Sequence, residues 1–263
     1  MLEFVTGIVR AAGQLIHENY EQVHRINRKS SEIDLVTEVD LAVEQLLVSA
    51  ILERFPGHAI LSEEGHGVQQ TSDYLWVLDP LDGTVNYAHG FPIFAVSVAV
   101  QQRDETILGV IYDPLRDEMF AAEKGAGATR NDQPIHVSAT DRLQDALLAT
   151  GFPYDRATRS DNNVAEFNHL ITRVQGIRRA GAATLDMAYL AAGRLDGYWE
   201  QHLSPWDWAA GVLLVAEAGG VITDFDGGPW GLDTVKIVVT NGRIHEELLR
   251  GLGMYGRTDR ARP

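Results

Sequence analysis

A change of hydrophobic period at Ala59 restricts the fold more than any other feature of this 263-residue chain. Before it, two stretches repeat at helical spacing. Phe4, Val5, Ile8, Ala12, Leu15 and Ile16 make one stripe of a helix predicted over residues 2–25. Val43, Leu46, Leu47, Ala50 and Ile51 make the inner face of a second over 40–55, which Pro56-Gly57 stops. The polar segment between them, 27–34, reads as an exposed turn or hairpin. From Ala59 the apolar runs shorten: 59–62, 74–78, 93–101, 107–112 and 118–123 read as strands. Turn signals at Arg103-Asp104-Glu105, Asp113-Pro114 and Gly125 to Gly127 join them as successive hairpins, which makes the sheet mostly antiparallel.

Beyond residue 140 the elements alternate. Strands at 146–150, near Ile177, and at 196–200, 221–224 and 236–240 are interleaved with helices at 162–175, 183–192, 205–218 and 244–249. The expected fold is a layered α/β (α+β) arrangement, with an α-plus-antiparallel half at 1–140 and an α/β half at 141–263. No flexible linker separates them, so they are expected to be tightly joined.

Composition removes several functions. There is no cysteine, so disulfides, thiolate zinc sites and cysteine nucleophiles are excluded. Twenty-two Lys and Arg against thirty-seven Asp and Glu leave a charge of −15, which repels nucleic-acid backbones, although a local basic patch at Arg173, Arg178 and Arg179 stays open. The first residues lack a basic start followed by a long apolar run, and no apolar stretch is long enough to span a bilayer. A cytoplasmic protein is expected.

The chemistry concentrates in Trp76-Val77-Leu78-Asp79-Pro80-Leu81-Asp82-Gly83-Thr84. The strand is expected to end at Asp79, because Pro80 has no N–H for the ladder, so two carboxylates emerge at a strand's end. Gly83 lets backbone approach a ligand, and Thr84 adds a hydroxyl. Three further acids can join them: Glu63 in Ser62-Glu63-Glu64, Asp40 in Thr37-Glu38-Val39-Asp40, and Asp207 in Pro205-Trp206-Asp207-Trp208. Each has a plainer role available. Asp79 and Asp82 suit an Asx turn, Asp40 and Asp207 suit the first turn of a helix, and Glu63-Glu64 suits a solvated pair. Acids without Cys or a His-x-His spacing favour a hard cation, Mg²⁺ rather than Zn²⁺.

Asp79-Pro80-Leu81-Asp82-Gly83-Thr84, with Trp206-Asp207 upstream of Glu217-Ala218-Gly219-Gly220, closely resembles the inositol monophosphatase family, Mg²⁺-dependent and lithium-sensitive phosphomonoesterases. The resemblance extends to Asp34-Leu35-Val36-Thr37-Glu38-Val39-Asp40, Ser62-Glu63-Glu64 and Gly181-Ala182-Ala183, and covers residues 5–250. It implies a sugar-phosphatase fold of alternating helix and sheet layers. By that resemblance Glu63, Asp79, Asp82 and Asp207 are metal ligands, Leu81 ligates through its carbonyl, and Asp40 and Thr84 position and activate water, with Glu63 counted among the catalytic residues. The substrate would contact Glu63, Leu81, Asp82, Gly83, Thr84 and Asp207, and its alcohol part would meet Gly181, Ala182, Ala183 and Glu200. Lys29 falls where the family often places a basic loop residue over the metals, and is equally readable as a solvated lysine. His89 and His202 read as loop or supporting residues.

The implied substrate is a small phosphorylated polyol, foremost myo-inositol 1-phosphate. Fructose 1,6-bisphosphate, histidinol phosphate, adenosine bisphosphate and NADP remain as alternatives from the same fold. The resemblance also implies a homodimer, and some similar bacterial proteins act in RNA-polymerase complexes, a role the acidic surface makes the weaker expectation.

Overall fold

The runs after Ala59 pair into one seven-stranded sheet, and the alternating part builds a second sheet of five. The computed structural model describes residues 1–22, 26–28, 35–231 and 235–256. Lys29 and Asp34 lie outside the described residues. In chain order the elements are α1 (Leu2–Asn19), β1 (Ile26–Arg28), β2 (Leu35–Thr37), α2 (Glu38–Arg54), β3 (Ala59–Ser62), β4 (Tyr74–Asp82), α3 (Thr84–Ala88), β5 (Ala95–Gln102), β6 (Glu105–Asp113), β7 (Glu118–Glu123), β8 (Gly127–Arg130), β9 (Gln133–Pro134), β10 (Leu147–Thr150), α4 (Val164–Leu170), β11 (Gly176–Arg178), α5 (Ala183–Ala191), β12 (Gly197–Gln201), α6 (Pro205–Glu217), β13 (Val221–Thr223), β14 (Lys236–Thr240) and α7 (His245–Gly256).

The first sheet runs β3-β4-β5-β6-β7-β8-β9, antiparallel except for the parallel pair β3–β4. Alternation along its strands separates two faces. Trp76, Leu78, Val96, Val98, Val100 and Val110 point to α1 and α2, where Val5, Val9, Ile16, Val43 and Leu47 cover them. Val77, Ala95, Ala99, Ile111 and Ala122 point the other way, onto Leu185 and Met187 of α5 and Leu213 and Leu214 of α6. That same apolar cluster continues through the helices to Tyr198, Ile237 and Val239 of the second sheet, ordered β11-β10-β12-β14-β13. On its far side Leu148, Trp199 and Val238 meet Leu170 of α4 and Leu248 and Leu252 of α7. Five layers result: helices, sheet, helices, sheet, helices.

The small residues facing α6 have a purpose. A Cβ on Gly109 would lie 2.9 Å from the Ala210 carbonyl oxygen and 3.0 Å from its Cα. Only glycine lets the helix that carries Asp207 sit directly on β6, so the sheet fixes the position of Asp207 relative to the end of β4.

Several elements differ from the sequence reading, α7 running to Gly256 rather than ending near 249, and three of the differences have a visible cause. α1 stops at Asn19 rather than near 25, because Tyr20 turns extended and leaves the helix axis. Its hydroxyl donates to the Gly90 carbonyl at 2.6 Å, and its ring packs on Tyr87 and Phe94. α4 is shorter than 162–175, because Asn163 takes a left-handed backbone (φ 69°) before it and is committed to tertiary contacts. β4 does not end at Asp79. Its extended backbone continues through Pro80 to Asp82, while the ladder skips: Asp79 pairs Ser97 and Asp82 pairs Ala95, leaving one extra residue on β4. The missing proline N–H is absorbed by a bulge, which re-aims the two carboxylates.

Candidate active site

The ends of β4 and β12, the turn into α3, the starts of α5 and α6 and the loop after β10 converge on a cleft of about 690 Å³. Glu63, Asp79, Leu81, Asp82, Gly83, Thr84, Gly181, Ala182, Ala183, Glu200 and Asp207 all line it. Asp40 stands one contact behind: its Oδ1 lies 2.9 Å from the Thr84 hydroxyl. His202 also faces the cleft, 3.3 Å from an Arg159 nitrogen, whereas His89 is the C-cap of α3 and away from the lining. Gly83 has φ 91°, and a Cβ there would stand 2.9 Å from the Ile93 carbonyl oxygen. No side chain fits this turn.

In each acid the anchoring contact engages a single carboxylate oxygen. Asp79 does form the Asx turn, its Oδ1 accepting from the Leu81 N–H at 3.1 Å. Asp40 does close the capping box of α2, its Oδ2 accepting from the Thr37 N–H at 2.9 Å and from the Thr37 hydroxyl. Its Oδ1 is the atom that meets Thr84. Asp207 caps α6, its Oδ2 accepting from the Ser204 N–H at 2.7 Å. Asp82 is held by the start of α5, where Oδ2 accepts from the Thr184 N–H at 2.8 Å and its hydroxyl at 2.5 Å. Each anchor fixes a carboxylate's rotamer, and those of Asp79, Asp82 and Asp207 face one shared space.

That arrangement is electrostatically expensive. Burial pushes the Asp79 carboxyl well above the usual carboxylate range, and Glu63, Asp82 and Asp207 add repulsion. A side-chain contact from Glu63 acts in the same direction. Burial likewise raises Asp207, with Glu63 and Asp82 as the next causes. Asp82 is pushed up to about 6 by burial, against the hydrogen bonds from Thr184.

Residues 1–254 match the family described as the inositol monophosphatase family. The chain belongs to the inositol monophosphatase family. An inositol-1-monophosphatase of Synechocystis is 45% identical over 95% of this chain and 88% of its own. A Nus factor SuhB of Pseudomonas aeruginosa is 46% identical over 95% of this chain and 94% of its own. The solved structure of an inositol monophosphatase from Anabaena matches with a TM-score of 0.87 at 45% identity, covering 96% of this chain and 95% of that one. The fold is therefore that of the inositol monophosphatases, and the chain is a phosphatase of that family. Among the described residues no helix is long and apolar enough to cross a membrane.

Metal dependence is general in the inositol monophosphatase family, and the donor set here fits a hard cation. Glu63, Asp79, Asp82, Asp207 and the Leu81 carbonyl offer oxygen only. Among the described residues no three His, Cys, Asp or Glu side chains are already drawn into a coordination shell. The fit lies in the charge: these acids are buried and mutually repelling, and a divalent cation relieves both penalties.

Around Glu200, which the sequence reading names, the other end of the cleft holds supports that it missed. Glu200 lies at the end of β12, its carboxylate bonded by the Tyr198 hydroxyl. It occupies the space that any side chain on Gly151 would need, since a Cβ there would fall 2.0 Å from Oε1. Gly151 is held in turn by Asn163, whose Nδ2 donates to the Gly151 carbonyl at 2.6 Å while Oδ1 accepts from the Trp199 indole N–H at 2.6 Å. Burial raises Glu200 to about 7, against the Tyr198 hydrogen bond and the Arg179 charge. Arg179, grouped by sequence with Arg173 and Arg178 as a surface patch, lines the cleft instead. Gly181 (φ 91°) makes room for it, because a Cβ would stand 2.7 Å from the Arg179 Nη1.

Proposed function

We propose that the chain hydrolyses phosphorylated polyols of the myo-inositol 1-phosphate class with Mg²⁺, by direct attack of water. The observation that carries the reading is the ring of anchored carboxylates around one cleft, with the Thr84–Asp40 pair at its edge. Mg²⁺ held by Glu63, Asp79, Asp82, Asp207 and the Leu81 carbonyl would neutralise phosphate charge and lower the pKa of a water. Thr84 and Asp40 orient the attacking water in line with the ester and receive its proton. Gly83 brings backbone N–H groups close to the phosphate. Gly181, Ala182, Ala183 and Glu200 bound the space for the alcohol. A homodimer and inhibition by lithium belong to the same proposal.

Phosphate release from a substrate panel tests it. Activity with Mg²⁺, loss on adding EDTA and highest kcat/KM on myo-inositol 1-phosphate are expected. A preference for fructose 1,6-bisphosphate, histidinol phosphate, adenosine bisphosphate or NADP would move the assignment to that substrate. Activity undiminished by EDTA would remove the metal.

Glu200→Ala gives a sharper expectation. A carboxylate accepts from adjacent hydroxyls, and a charge-assisted bond is worth roughly 1.5–3 kcal/mol. The ratio of kcat/KM for myo-inositol 1-phosphate to that for p-nitrophenyl phosphate should fall about 10- to 100-fold. Equal losses on both substrates would place Glu200 with the metal or with folding.

A second role in transcription complexes is suggested by the Pseudomonas relative named Nus factor SuhB. The surface offers it less than the sequence reading allowed. Arg179 lines the cleft, which leaves Arg173 and Arg178 as the exposed members of the three outside it, each bonded only to near sequence neighbours among the described residues. Pull-down of RNA polymerase by the purified chain decides between a phosphatase alone and one with both roles.

A further inference from the structure

A second carboxylate stands beside Glu200 and has no task in the mechanism above. Asp186, in the first turn of α5, lines the cleft and is only 3% exposed. Its side chain makes no hydrogen bond or ion pair among the described residues, unlike Asp79, Asp82 and Asp207, each of which is anchored. Arg179 lines the same end of the cleft, and it too lacks an ion pair among the described residues. We infer that Asp186 is a specificity-determining residue, a second acceptor for the hydroxyls of a polyol substrate, working with Glu200 and with Arg179 as the balancing charge. The inference rests on the polyol reading above.

The physical case is one of satisfaction. A carboxylate that lines a cleft and is bound by no protein donor has its lone pairs available to a ligand, and a dipole-compensating acid in a first helical turn has no need to face a cleft. Glu200 and Asp82 both repel Asp186, while Arg179 opposes them, so Asp186 lies within electrostatic reach of the alcohol site. Neighbouring ring hydroxyls bring donors that no described side chain supplies to Asp186. A substrate with a single hydroxyl, or an aryl phosphate, cannot bridge Glu200 and Asp186 together. Removing one of two acceptors should cost about tenfold in discrimination, chiefly in KM.

The test uses the full chain carrying Asp186→Asn or Asp186→Ala, with Mg²⁺, on myo-inositol 1-phosphate and p-nitrophenyl phosphate. The expected result is a fall of about tenfold in the ratio of the two kcat/KM values, carried by KM for the polyol, with a melting temperature no lower than that of the unaltered chain. The isosteric Asn variant decides if the Ala variant folds poorly. An unchanged ratio, or equal losses on both substrates with a lowered melting temperature, overturns the inference. If Glu200→Ala shifts the ratio and the Asp186 variants do not, the polyol reading stands and this inference alone falls. If neither position shifts it, both fall.

Discussion

Asp79→Asn is expected to abolish turnover, lowering kcat on the order of 10³-fold or more even in saturating Mg²⁺. The amide keeps the shape of the carboxylate and one oxygen to accept from the Leu81 N–H, so the turn at Pro80 should persist. What is lost is a negative charge at the point where Glu63, Asp82 and Asp207 already converge. The same substitution should leave the metal-free protein at least as stable. Asp79 and Asp82 both have folded-state pKa values raised above their ordinary ones, Asp82 to about 6. Groups of that kind favour the fold while protonated, so their contribution is complete below about pH 4 and is lost as pH rises through the raised values. The metal-free parent chain should therefore lose stability between about pH 4 and pH 7, and Asp79→Asn should flatten that decline. Thermal melts in EDTA across this range, beside kcat in excess Mg²⁺, separate a missing charge from a broken fold. Near-normal kcat would make Asp79 a turn residue only.

Much of this site was legible because its acids are contiguous with secondary-structure punctuation. Asp79, Asp82, Gly83 and Thr84 sit where a strand meets a proline and a glycine, and Asp40 and Asp207 sit where helices begin. Sequence reasoning posed capping and chemistry as rivals at those positions. The two need not exclude each other, since a capping oxygen also anchors a carboxylate. The anchors distant in sequence were not legible. Thr184 reaches Asp82 from 102 residues away, and Gly151 meets Glu200 only because β10 and β12 pair in parallel. Asp186 was hidden for a different reason: in an Ala-rich helix a lone first-turn acid looks fully explained by the helix dipole. Pro80 misled in the opposite sense. It does remove a ladder hydrogen bond, but a bulge lets the strand carry on to Asp82.

Thr84→Ala should fail in another way from Asp79→Asn, losing rate while keeping metal. The Thr84 hydroxyl lies 2.9 Å from Asp40 Oδ1 and 3.1 Å from the Leu81 carbonyl oxygen, and it has one proton to give. Donated to Asp40, that proton leaves the lone pairs of Oγ1 to accept from a water in the cleft. Asp40 does not depend on Thr84 for its orientation, because Oδ2 is locked by Thr37. Nor do Asp79, Asp82 and Asp207, the proposed metal ligands, which are anchored on Leu81, Thr184 and Ser204. Loss of the hydroxyl should therefore lower kcat by about 10²–10⁴-fold, the usual reach of a positioned acid–base group, with little change in KM. Thr84→Ser should restore most of the rate, since it returns the oxygen on the same backbone. Titration calorimetry with Mg²⁺ supplies the deciding comparison. Affinity within about threefold of the unaltered chain, less than 0.7 kcal/mol, keeps Thr84 with the water. A loss of Mg²⁺ affinity parallel to the loss of rate would instead make the hydroxyl part of the metal site, through the Leu81 carbonyl it touches.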